Sequence, residues 1–433
     1  LAESAKHPTP LSLSTFRLVR TGVEMGLIVQ KFGGSSLESA EQLQSAARRA
    51  VGERHSDNEV VMVVSARGDT TDELEALARE IHPNPDRREL DMLMAVGEQI
   101  SIALMAIAIH SLDQDAISLT GAQAGIQTDS VSSKAKIQMI DTSRLRRELA
   151  AGRIVIVAGF QGVDVHDNIT TLGRGGSDTT AVALAAALTA DRCDIFTDVE
   201  GLYTADPRLV PNARRLDVVD YDEVLEMASL GAKVMHSRAV EIAKRFDVPF
   251  RVRPSFDETE GTLVKNMTED LEQVDVRGAA LEKNEAKITI RHVSDSPGVA
   301  ATIFGEIARN DINVDMIVQN VSAHGATDLS FTVAKSDLQK ALEVARKLAD
   351  RVDAHSVEAD EDVAKISAVG VGMRSHSGVA EKMFQALADR KINIQMISTS
   401  EIKISCVIDE PMAEEALQAV HDVFELGDHQ TDE

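Results

Sequence analysis

The chain has 433 residues, of which 43% are hydrophobic and 27% charged, as expected for a globular protein of two or three domains. Its 45 basic and 70 acidic residues give a formal net charge of −25, which repels nucleic acid and anionic membranes and argues against either as a partner. No apolar run reaches the roughly 18 residues that span a bilayer, so no membrane protein is expected. Cys193 and Cys406 lie in separate apolar, strand-like segments, which predicts buried thiols in a reducing cytoplasm.

The first predicted strand, residues 27–32, is followed by a small-residue turn and a helix that starts at Ala40. Residues 1–25 show no hydrophobic period and are expected to form a disordered extension, with a transit peptide as the alternative. Lys31 stands before Gly33 and Gly34, where an ammonium group and backbone N–H groups can face the same phosphate oxygens. The spacing is not that of a P-loop, and a purely structural turn is the alternative.

A second strand, residues 59–64, ends in Ser65 and is followed by Thr70, Thr71 and Asp72. Open α/β sheets bind ligands at the carboxyl ends of their strands, so these polar residues are candidates for a site. Their alternative role is a cap for a helix over residues 73–81. A long amphipathic helix, residues 91–111, follows and contains Glu98, which lies either in a cleft or at the surface.

The stretch 170–180 is the strongest single signal in the chain, because a buried-strand pattern (154–160) leads into a glycine-rich loop and then a helix from residue 181. Glycines give the loop positive φ angles and close access to a ligand, and helix N-termini attract anions. Arg174 adds a guanidinium fork suited to a carboxylate or phosphate. We interpret this segment as an anion-binding turn. The alternative is an ordinary connection between a strand and a helix, with an arginine at the surface.

A further strand, residues 193–198, leads into a loop bounded by Gly201 and Pro207. Tyr203, Asp206 and Arg208 on that loop suit the ring, ribose and phosphates of a nucleotide, although a rigid connection would use the same residue types. Strands alternate with helices up to the strand 248–253, which predicts an α/β domain with a mainly parallel sheet over residues 26–256. The acidic stretch that follows predicts a linker, residues 257–283.

The C-terminal part is an internal repeat with an offset of 80 residues, from Gly298 to Gly378. Gly-Val-Ala, Phe, Ala, Ile-Asn and Met-Ile recur in the same order in both copies. The pattern predicts two βαββα domains of the ferredoxin-like type, over residues 284–361 and 362–433. The exposed sheet edges of such units favour dimerisation.

Taken together, these motifs resemble those of the aspartate kinases, members of the amino-acid kinase family with tandem C-terminal ACT domains. The matching segments cover nearly the whole chain from residue 26 and are Lys31-Phe32-Gly33-Gly34-Ser35-Ser36, Val63-Val64-Ser65-Ala66, Gly97-Glu98, Gly173-Arg174-Gly175-Gly176-Ser177-Asp178, Thr197-Asp198 and Tyr203-Thr204-Ala205-Asp206-Pro207-Arg208.

The resemblance implies phosphoryl transfer from ATP, with Mg²⁺ carried on its phosphates and no protein metal site, to the side-chain carboxylate of L-aspartate. This is the first step of lysine, threonine and methionine biosynthesis. Lys31 and Asp178 would be catalytic. The implied ATP-binding residues are Lys31, Phe32, Gly33, Gly34, Ser65, Thr197, Asp198, Tyr203, Asp206, Arg208 and Lys233. The implied aspartate-binding residues are Thr70, Thr71, Asp72, Glu98, Gly173, Arg174, Gly175, Gly176 and Ser177.

The resemblance also implies feedback regulation by lysine, threonine or both, in a cytoplasmic homo-oligomer formed through the ACT domains or with a separate ACT-only subunit. The effector contacts would be Asp295, Gly298, Asn313, Val314, Asp315, Gln319, Val379, Ala380, Asn393, Ile394, Ser400 and Glu401. Capping of turns is the alternative for the asparagines. Arg67 departs from the family pattern, in which an apolar residue is common at that position. Two other functions remain open at this point: an amino-acid sensor with a degenerate kinase domain, and a kinase for glutamate or acetylglutamate.

Overall fold

The fold is taken from a computed structural model that describes residues 26–229, 235–267, 275–321, 326–371, 373 and 378–427. The expected extension, residues 1–25, and the predicted ATP contact Lys233 lie outside the described residues.

The N-terminal unit, residues 26–267, alternates strands and helices along the chain. Its elements are β1 (Leu27–Phe32), α1 (Ala40–His55), β2 (Glu59–Val64), α2 (Thr70–Ile81), α3 (Arg87–Met94), α4 (Val96–His110), β3 (Ala116–Leu119), β4 (Ile126–Thr128), β5 (Ile137–Ile140), α5 (Ser143–Ala150), β6 (Ile154–Ala158), β7 (Gln161–Val163), β8 (Ile169–Thr171), α6 (Gly176–Leu188), β9 (Arg192–Thr197), β10 (Val218–Val219), α7 (Tyr221–Ser229), α8 (Ser237–Phe246), β11 (Phe250–Pro254) and β12 (Thr262–Val264).

The main sheet has the order β10-β12-β11-β9-β1-β2-β6-β3 and is parallel except where β11 meets β12. Its strands are apolar on both faces because helices cover both sides. In β2, Val61 and Val63 pack in the core that includes α6 and α8, whereas Val60 and Met62 pack in the core that includes α1 and α4. A smaller sheet, of order β5-β4-β7-β8, carries the strand that leads into the glycine-rich loop.

The helical stretch 87–110, which consists of α3 and α4, is long and apolar enough by length and composition to cross a membrane. A core helix passes the same test, and 56% of the most apolar window is buried inside the fold. Met105 and Ile109 are fully buried in the core that covers one face of the main sheet. The structure therefore uses this stretch as a core helix, interrupted at Ala95, where the sequence predicted one continuous helix.

The C-terminal part contains β13 (Asp275–Ser294), α9 (Val299–Arg309), β14 (Ile317–Val321), β15 (Ala326–Ala334), α10 (Leu338–Ala349), β16 (Ser356–Val371), α11 (Val379–Asp389), β17 (Ile394–Thr399), β18 (Lys403–Asp409) and α12 (Ala413–Val423). The βαββα order predicted from the repeat is present twice. Its sheet has the order β14-β15-β13-β16-β18-β17, so the two copies are joined by antiparallel pairing of β13 with β16.

The two long central strands are shared between the copies. Residues 285–294 of β13 pair with β15, while residues 275–282 pair with the second half of β16, whose other neighbour is β18. We call residues 285–360 the first repeat unit, and residues 275–282 with 363–427 the second repeat unit. Each unit has its own buried cluster, and Ala279 belongs to that of the second.

The interval 257–283, predicted as a linker, instead contributes to both sheets. It contains β12, an edge-region strand of the main sheet, and the part of β13 that completes the second repeat unit. The acidic composition concealed these strands: β12 pairs with the preceding strand β11 and with the more distant β10, and this part of β13 pairs with the distant β16. Leu263, for example, pairs with Arg251 on one side and Val218 on the other.

Candidate active site

A cavity of about 580 Å³ lies at the carboxyl ends of β1 and β2 and beside the glycine-rich loop. We call it the acceptor cavity. Most of the residues predicted to be catalytic or to bind aspartate line it, together with three predicted for ATP. They are Lys31, Gly33, Gly34, Ser65, Thr71, Asp72, Glu98, Gly173, Arg174, Gly175, Gly176, Ser177 and Asp178.

Phe32, predicted for ATP, and Thr70, predicted for aspartate, do not line this cavity. Phe32 is 1% exposed and stacks on Phe196 with ring centroids 4.6 Å apart, because its position in β1 directs it into the core. Thr70 lies in the first turn of α2 beside Gly97. The helix begins at Thr70 rather than after Asp72, and its N-cap, Asp69, forms no side-chain capping bond, so the capping alternative for Thr70–Asp72 was wrong.

Lys31 and Asp178 form an ion pair at the wall of the acceptor cavity, with Nζ and Oδ1 2.6 Å apart. Lys31 is 9% exposed at the end of β1, and Asp178 lies in the first turn of α6. The carboxylate therefore fixes a long, flexible cation where the positive end of a helix also points. This arrangement holds an ammonium group and the N-terminus of a helix at the same wall of the cavity.

The loop between β8 and α6 depends on Gly175. Its φ is +70°, and a β-carbon there would lie 2.3 Å from the side chain of His236. Glycine is thus required both for the left-handed conformation and for the close approach. Arg238 holds the same loop by donating to the Leu172 carbonyl (2.9 Å) and the Ala135 carbonyl (2.7 Å). Arg174 is exposed beside the cavity, and among the described residues no carboxylate lies within ion-pair distance of it.

Glu98 is 3% exposed, so the surface alternative for it was wrong. Its Oε1 accepts a hydrogen bond from the Ala66 N–H (3.0 Å), while its Oε2 is buried without a hydrogen-bond partner among the described residues. Burial raises the pKa of the carboxyl group to about 7, partly offset by the Ala66 hydrogen bond. A cationic ligand group in the cavity would supply the missing partner and stabilise the ionised form.

A second cavity, of about 570 Å³, lies next to the first. We call it the nucleotide cavity. The two are adjacent because β1 and β9 are neighbours: Gly33 N–H donates to the Phe196 carbonyl (3.3 Å) just before Thr197. The predicted ATP contacts Thr197, Asp198, Tyr203, Asp206 and Arg208 line it.

Polar side chains of the nucleotide cavity have protein partners. Arg208, predicted to meet phosphates, is paired with Asp206 at 2.7 Å, and the Tyr203 hydroxyl donates to Glu200 (2.9 Å). The Arg208 guanidinium is largely exposed, so its pair with Asp206 is weak and a phosphate can compete for it.

Comparison with known proteins supports what this geometry indicates. The amino acid kinase family model matches residues 26–254, and an ACT domain model matches residues 288–347 and 366–424. The aspartokinase of Pseudomonas aeruginosa is 52% identical over 404 residues, covering 93% of this chain and 98% of that protein. The chain belongs to the aspartokinase family. The aspartokinase of Corynebacterium glutamicum is 49% identical over 408 residues, covering 93% of this chain and 97% of that protein.

The fold comparison agrees with the aspartokinase assignment. Escherichia coli aspartokinase III, solved in complex with aspartate and ADP, matches with a TM-score of 0.77 and 28% identity over 92% of this chain and 99% of that chain. The predicted amino-acid kinase fold followed by ACT domains is confirmed, and membership of the aspartokinase family makes the chain an ATP-dependent kinase.

Asp91 is a residue of the acceptor cavity that the sequence did not reveal. It is 1% exposed, and its carboxylate accepts from the Ser133 N–H and hydroxyl and from the Thr171 N–H (3.1 Å) and hydroxyl (2.7 Å). It therefore ties the loop after β4 to the end of β8, next to Gly173. Its partners are 42 and 80 residues away, so no local pattern marks it.

The predicted effector residues lie in both repeat units of this aspartokinase-family chain, and Asn313 with Asn393 and Val314 with Ile394 occupy equivalent positions. Gly298 and Gly378, with φ of +97° and +116°, are the N-caps of α9 and α11, and a β-carbon at either would meet open space. Asp315 is paired with Lys365, which is 3% exposed and also 2.9 Å from Glu285. The remaining members adjoin these helices or their neighbouring strands and are Asp295, Asn313, Val314, Gln319, Val379, Ala380, Asn393, Ile394, Ser400 and Glu401.

The wall of the nucleotide cavity also includes residues from outside the N-terminal unit. Ala279, Ala280 and Leu281 come from β13, and Leu417 comes from α12. Sequence reasoning gave no signal for this contact, because small and aliphatic residues at these positions fit an ordinary core equally well.

Proposed function

We propose that the chain transfers the γ-phosphoryl group of ATP to the side-chain carboxylate of L-aspartate, giving 4-phospho-L-aspartate and ADP. The Lys31–Asp178 pair supports this most directly. The pair lines the acceptor cavity, and Lys31 lies on β1, which is paired with β9, the strand that ends at the nucleotide cavity. The crystallised relative holds aspartate and ADP, and the same two ligands are proposed for the two cavities here.

The attacking carboxylate of aspartate is ionised at neutral pH, so the transfer needs no general base. Catalysis then consists of bringing two anions together and neutralising the charge that develops on the phosphoryl group. Lys31 supplies a fixed ammonium group, and the N-terminus of α6 adds backbone N–H groups. Arg174 is proposed to bind a carboxylate of aspartate, and Glu98 its ammonium group.

Mg²⁺ is the metal expected with ATP. Mg²⁺ typically takes one or two carboxylates plus phosphate oxygens, and the described residues contain no group of three or more metal-ligating side chains. Asp178, a carboxylate of the acceptor cavity, is proposed to help bind the Mg²⁺ ion carried by the nucleotide phosphates. When bound, Mg²⁺ would neutralise phosphate charge.

We also propose that lysine, threonine or both inhibit the enzyme by binding at the ACT units of a cytoplasmic homo-oligomer. The presence of two ACT domains supports this, as does Escherichia coli aspartokinase III crystallised with lysine and aspartate, with a TM-score of 0.70. The exposed glycine-led N-termini of α9 and α11 leave room for an amino acid. An effector inhibits only if it prefers one of two enzyme conformations.

The deciding experiment measures ADP release from Mg·ATP with L-aspartate, with L-glutamate and without acceptor, each with and without lysine and threonine. Hydroxylamine added at the end traps an acyl phosphate as a hydroxamate, so ADP and hydroxamate should form in equal amounts with aspartate alone. No ADP formation with aspartate, together with tight binding of lysine or threonine, would favour the amino-acid sensor instead.

The variant Lys31→Ala tests the chemical step separately from the binding of aspartate. Removing a fixed charge that acts on the transition state should lower kcat by at least about a hundredfold. Aspartate binding measured by calorimetry should persist. Turnover like that of the unmodified protein would refute the role of Lys31.

A further inference from the structure

The loop that carries the predicted nucleotide contacts is folded into the core of the second repeat unit. We call residues 202–216 the nucleotide loop. Ala205, Val210 and Ala213 of this loop belong to one buried cluster with residues such as Ile366 and Val420 of the second repeat unit. The apolar side of the nucleotide loop is therefore buried by the regulatory part of the chain.

Thr204 makes the polar contact at the same place. Its hydroxyl oxygen accepts from the Arg214 N–H (3.0 Å), lies 3.0 Å from the Leu426 carbonyl, and lies 3.1 Å from Nε2 of His421. The single hydroxyl hydrogen is donated to Leu426, so His421 donates through Nε2–H. Thr204 and His421 are both fully buried.

The backbone of Thr204 extends this junction to β13, because its carbonyl accepts from the Ala279 N–H (2.7 Å). Tyr203 and Ala205, on either side of Thr204, both line the nucleotide cavity. Ala279 from β13 and Leu417 from α12 line the same cavity. A shift of α12 relative to the N-terminal unit would therefore move the cavity wall directly.

The base of the nucleotide loop is attached elsewhere. Thr262 in β12 accepts from the Leu202 N–H (2.8 Å) and donates to the Leu216 carbonyl (2.5 Å). The two ends of the loop are thus held by the main sheet, while Thr204, Val210 and Ala213 between them contact the second repeat unit. The nucleotide loop is therefore attached to both parts of the chain.

We propose that the junction of Thr204 with His421 and Leu426 positions the nucleotide loop, so that the second repeat unit sets the affinity of the kinase for its nucleotide. This inference rests on the proposed function, in which the nucleotide cavity holds ATP. Thr204 and His421 are positioning residues, because they hold the loop and not the nucleotide.

The test compares Thr204→Val, which keeps the shape and removes the hydroxyl group, with Thr204→Ser, which keeps the hydroxyl group. Thr204→Val should raise KM for ATP and Kd for ADP roughly three- to tenfold, the equivalent of one buried hydrogen bond. KM for aspartate should stay within about twofold, and Thr204→Ser should restore most of the nucleotide affinity. ADP binding is measured by calorimetry on the full chain, independently of turnover.

His421→Gln tests the junction from the other side and should shift the same two constants. Thr204 and His421 act through one contact. The loss of ADP-binding free energy in the double variant should therefore be smaller than the sum of the losses in the two single variants. Thr128→Val is the control, since Thr128 is also a buried hydroxyl, bonded to the Asp129 carbonyl (2.9 Å) and Thr170 (2.6 Å), away from the residues of the nucleotide cavity.

Unchanged nucleotide constants in both Thr204→Val and His421→Gln would overturn the inference. A parallel loss of nucleotide binding, aspartate binding and thermal stability would also overturn it, because it would show a general structural role. Failure of the proposed function is separate: it would appear as absence of aspartate-dependent ADP formation in the unmodified protein.

Discussion

At the scale of single residues, the most informative side chain is Glu98, because a buried carboxyl group with one unpaired oxygen is costly to ionise. Its pKa is raised to about 7 by burial, so both forms are present near neutral pH. Above that value the ionised form predominates and attracts the aspartate ammonium group. Below it the neutral carboxyl group loses that attraction.

We therefore expect kcat/KM for aspartate to fall about tenfold per pH unit below about pH 7, with ATP saturating. Glu98→Gln should lower kcat/KM above pH 7 and abolish the inflection, because its side chain does not ionise. Glu75→Gln is the control, since Glu75 lines the same cavity but is half-buried and paired with Arg79. An inflection that persists in Glu98→Gln would contradict the assignment.

Asp91 shows how a residue can shape the site without a local signal. Asp91→Asn replaces one acceptor oxygen with a donor, so donors from Ser133 and Thr171 lose their partner. We expect a loss of about 1–3 kcal/mol in the free energy of unfolding and a higher KM for aspartate, because the segment that leads to Gly173 is less firmly held. KM for ATP should change little.

Urea unfolding and steady-state kinetics measure both effects. Asp141→Asn is the matched control, since Asp141 also accepts from a Ser N–H (3.0 Å) and hydroxyl (2.6 Å) but is exposed. If the two substitutions changed the free energy of unfolding and KM for aspartate equally, burial of the hydrogen bonds of Asp91 would contribute nothing to stability or to aspartate binding.

At the scale of elements, the loop between β8 and α6 combines a backbone requirement with a function. Gly175→Ala would force a side chain into a left-handed conformation and into contact with His236. We expect it to abolish most turnover and to lower stability. Gly52→Ala is the opposite case, because Gly52 lies inside α1 with nothing within 4 Å of the added carbon, and alanine favours helices.

Turnover and thermal unfolding together test this pair. Gly52→Ala should raise stability by up to about 1 kcal/mol and leave kinetics unchanged. If Gly175→Ala were as active as Gly52→Ala, the loop would not need its observed conformation.

Elements were predictable where their pattern is local. The strands β1 and β2 have the predicted bounds, because a mainly apolar run of six residues that ends at small or polar residues marks a buried parallel strand. The break at Ala95 and the strand β12 were not predictable, since the Ala95 carbonyl is bonded to the side chain of Gln161, 66 residues away, and β12 is a three-residue strand directly after an acidic stretch. Likewise, the motif Lys31 to Ser36 predicted a turn, which lies at the acceptor cavity, but did not show that the Phe32 side chain faces the core.

At the scale of the whole molecule, the repeat of 80 residues predicted two similar units but not how they share strands. Local periodicity cannot show that β13 and β16 continue across the boundary between the units, because their pairing is decided by the sheet as a whole. The consequence is that the inner edges of the two units are already paired within one chain. The outer strands, β14 and β17, contact each other within the chain, but each pairs with only one strand among the described strands of this sheet.

These outer edges carry matching apolar side chains. Ile317 in β14 is 53% exposed and Ile397, at the equivalent position in β17, is 43% exposed, whereas the preceding residues Met316 and Met396 are buried together. An apolar side chain exposed on a sheet edge favours association. A two-fold axis relating two chains would bury both positions, so we expect the homo-oligomer to form here.

The double variant Ile317→Lys/Ile397→Lys should weaken self-association at least tenfold, because two ammonium groups per chain would have to lose their hydration in the interface. Light scattering coupled to size exclusion, over a dilution series, measures the change in mass. Val165→Lys is the control, since Val165 is 82% exposed in the N-terminal unit, and it should leave the mass unchanged. If the unmodified chain is monomeric at micromolar concentration, no such interface exists. If the double variant has the same mass as the unmodified chain, the interface lies elsewhere. A dimer that dissociates only in the double variant would locate the contact at the outer edges of the ACT sheet, adjacent to the proposed effector residues Gln319 and Ile394.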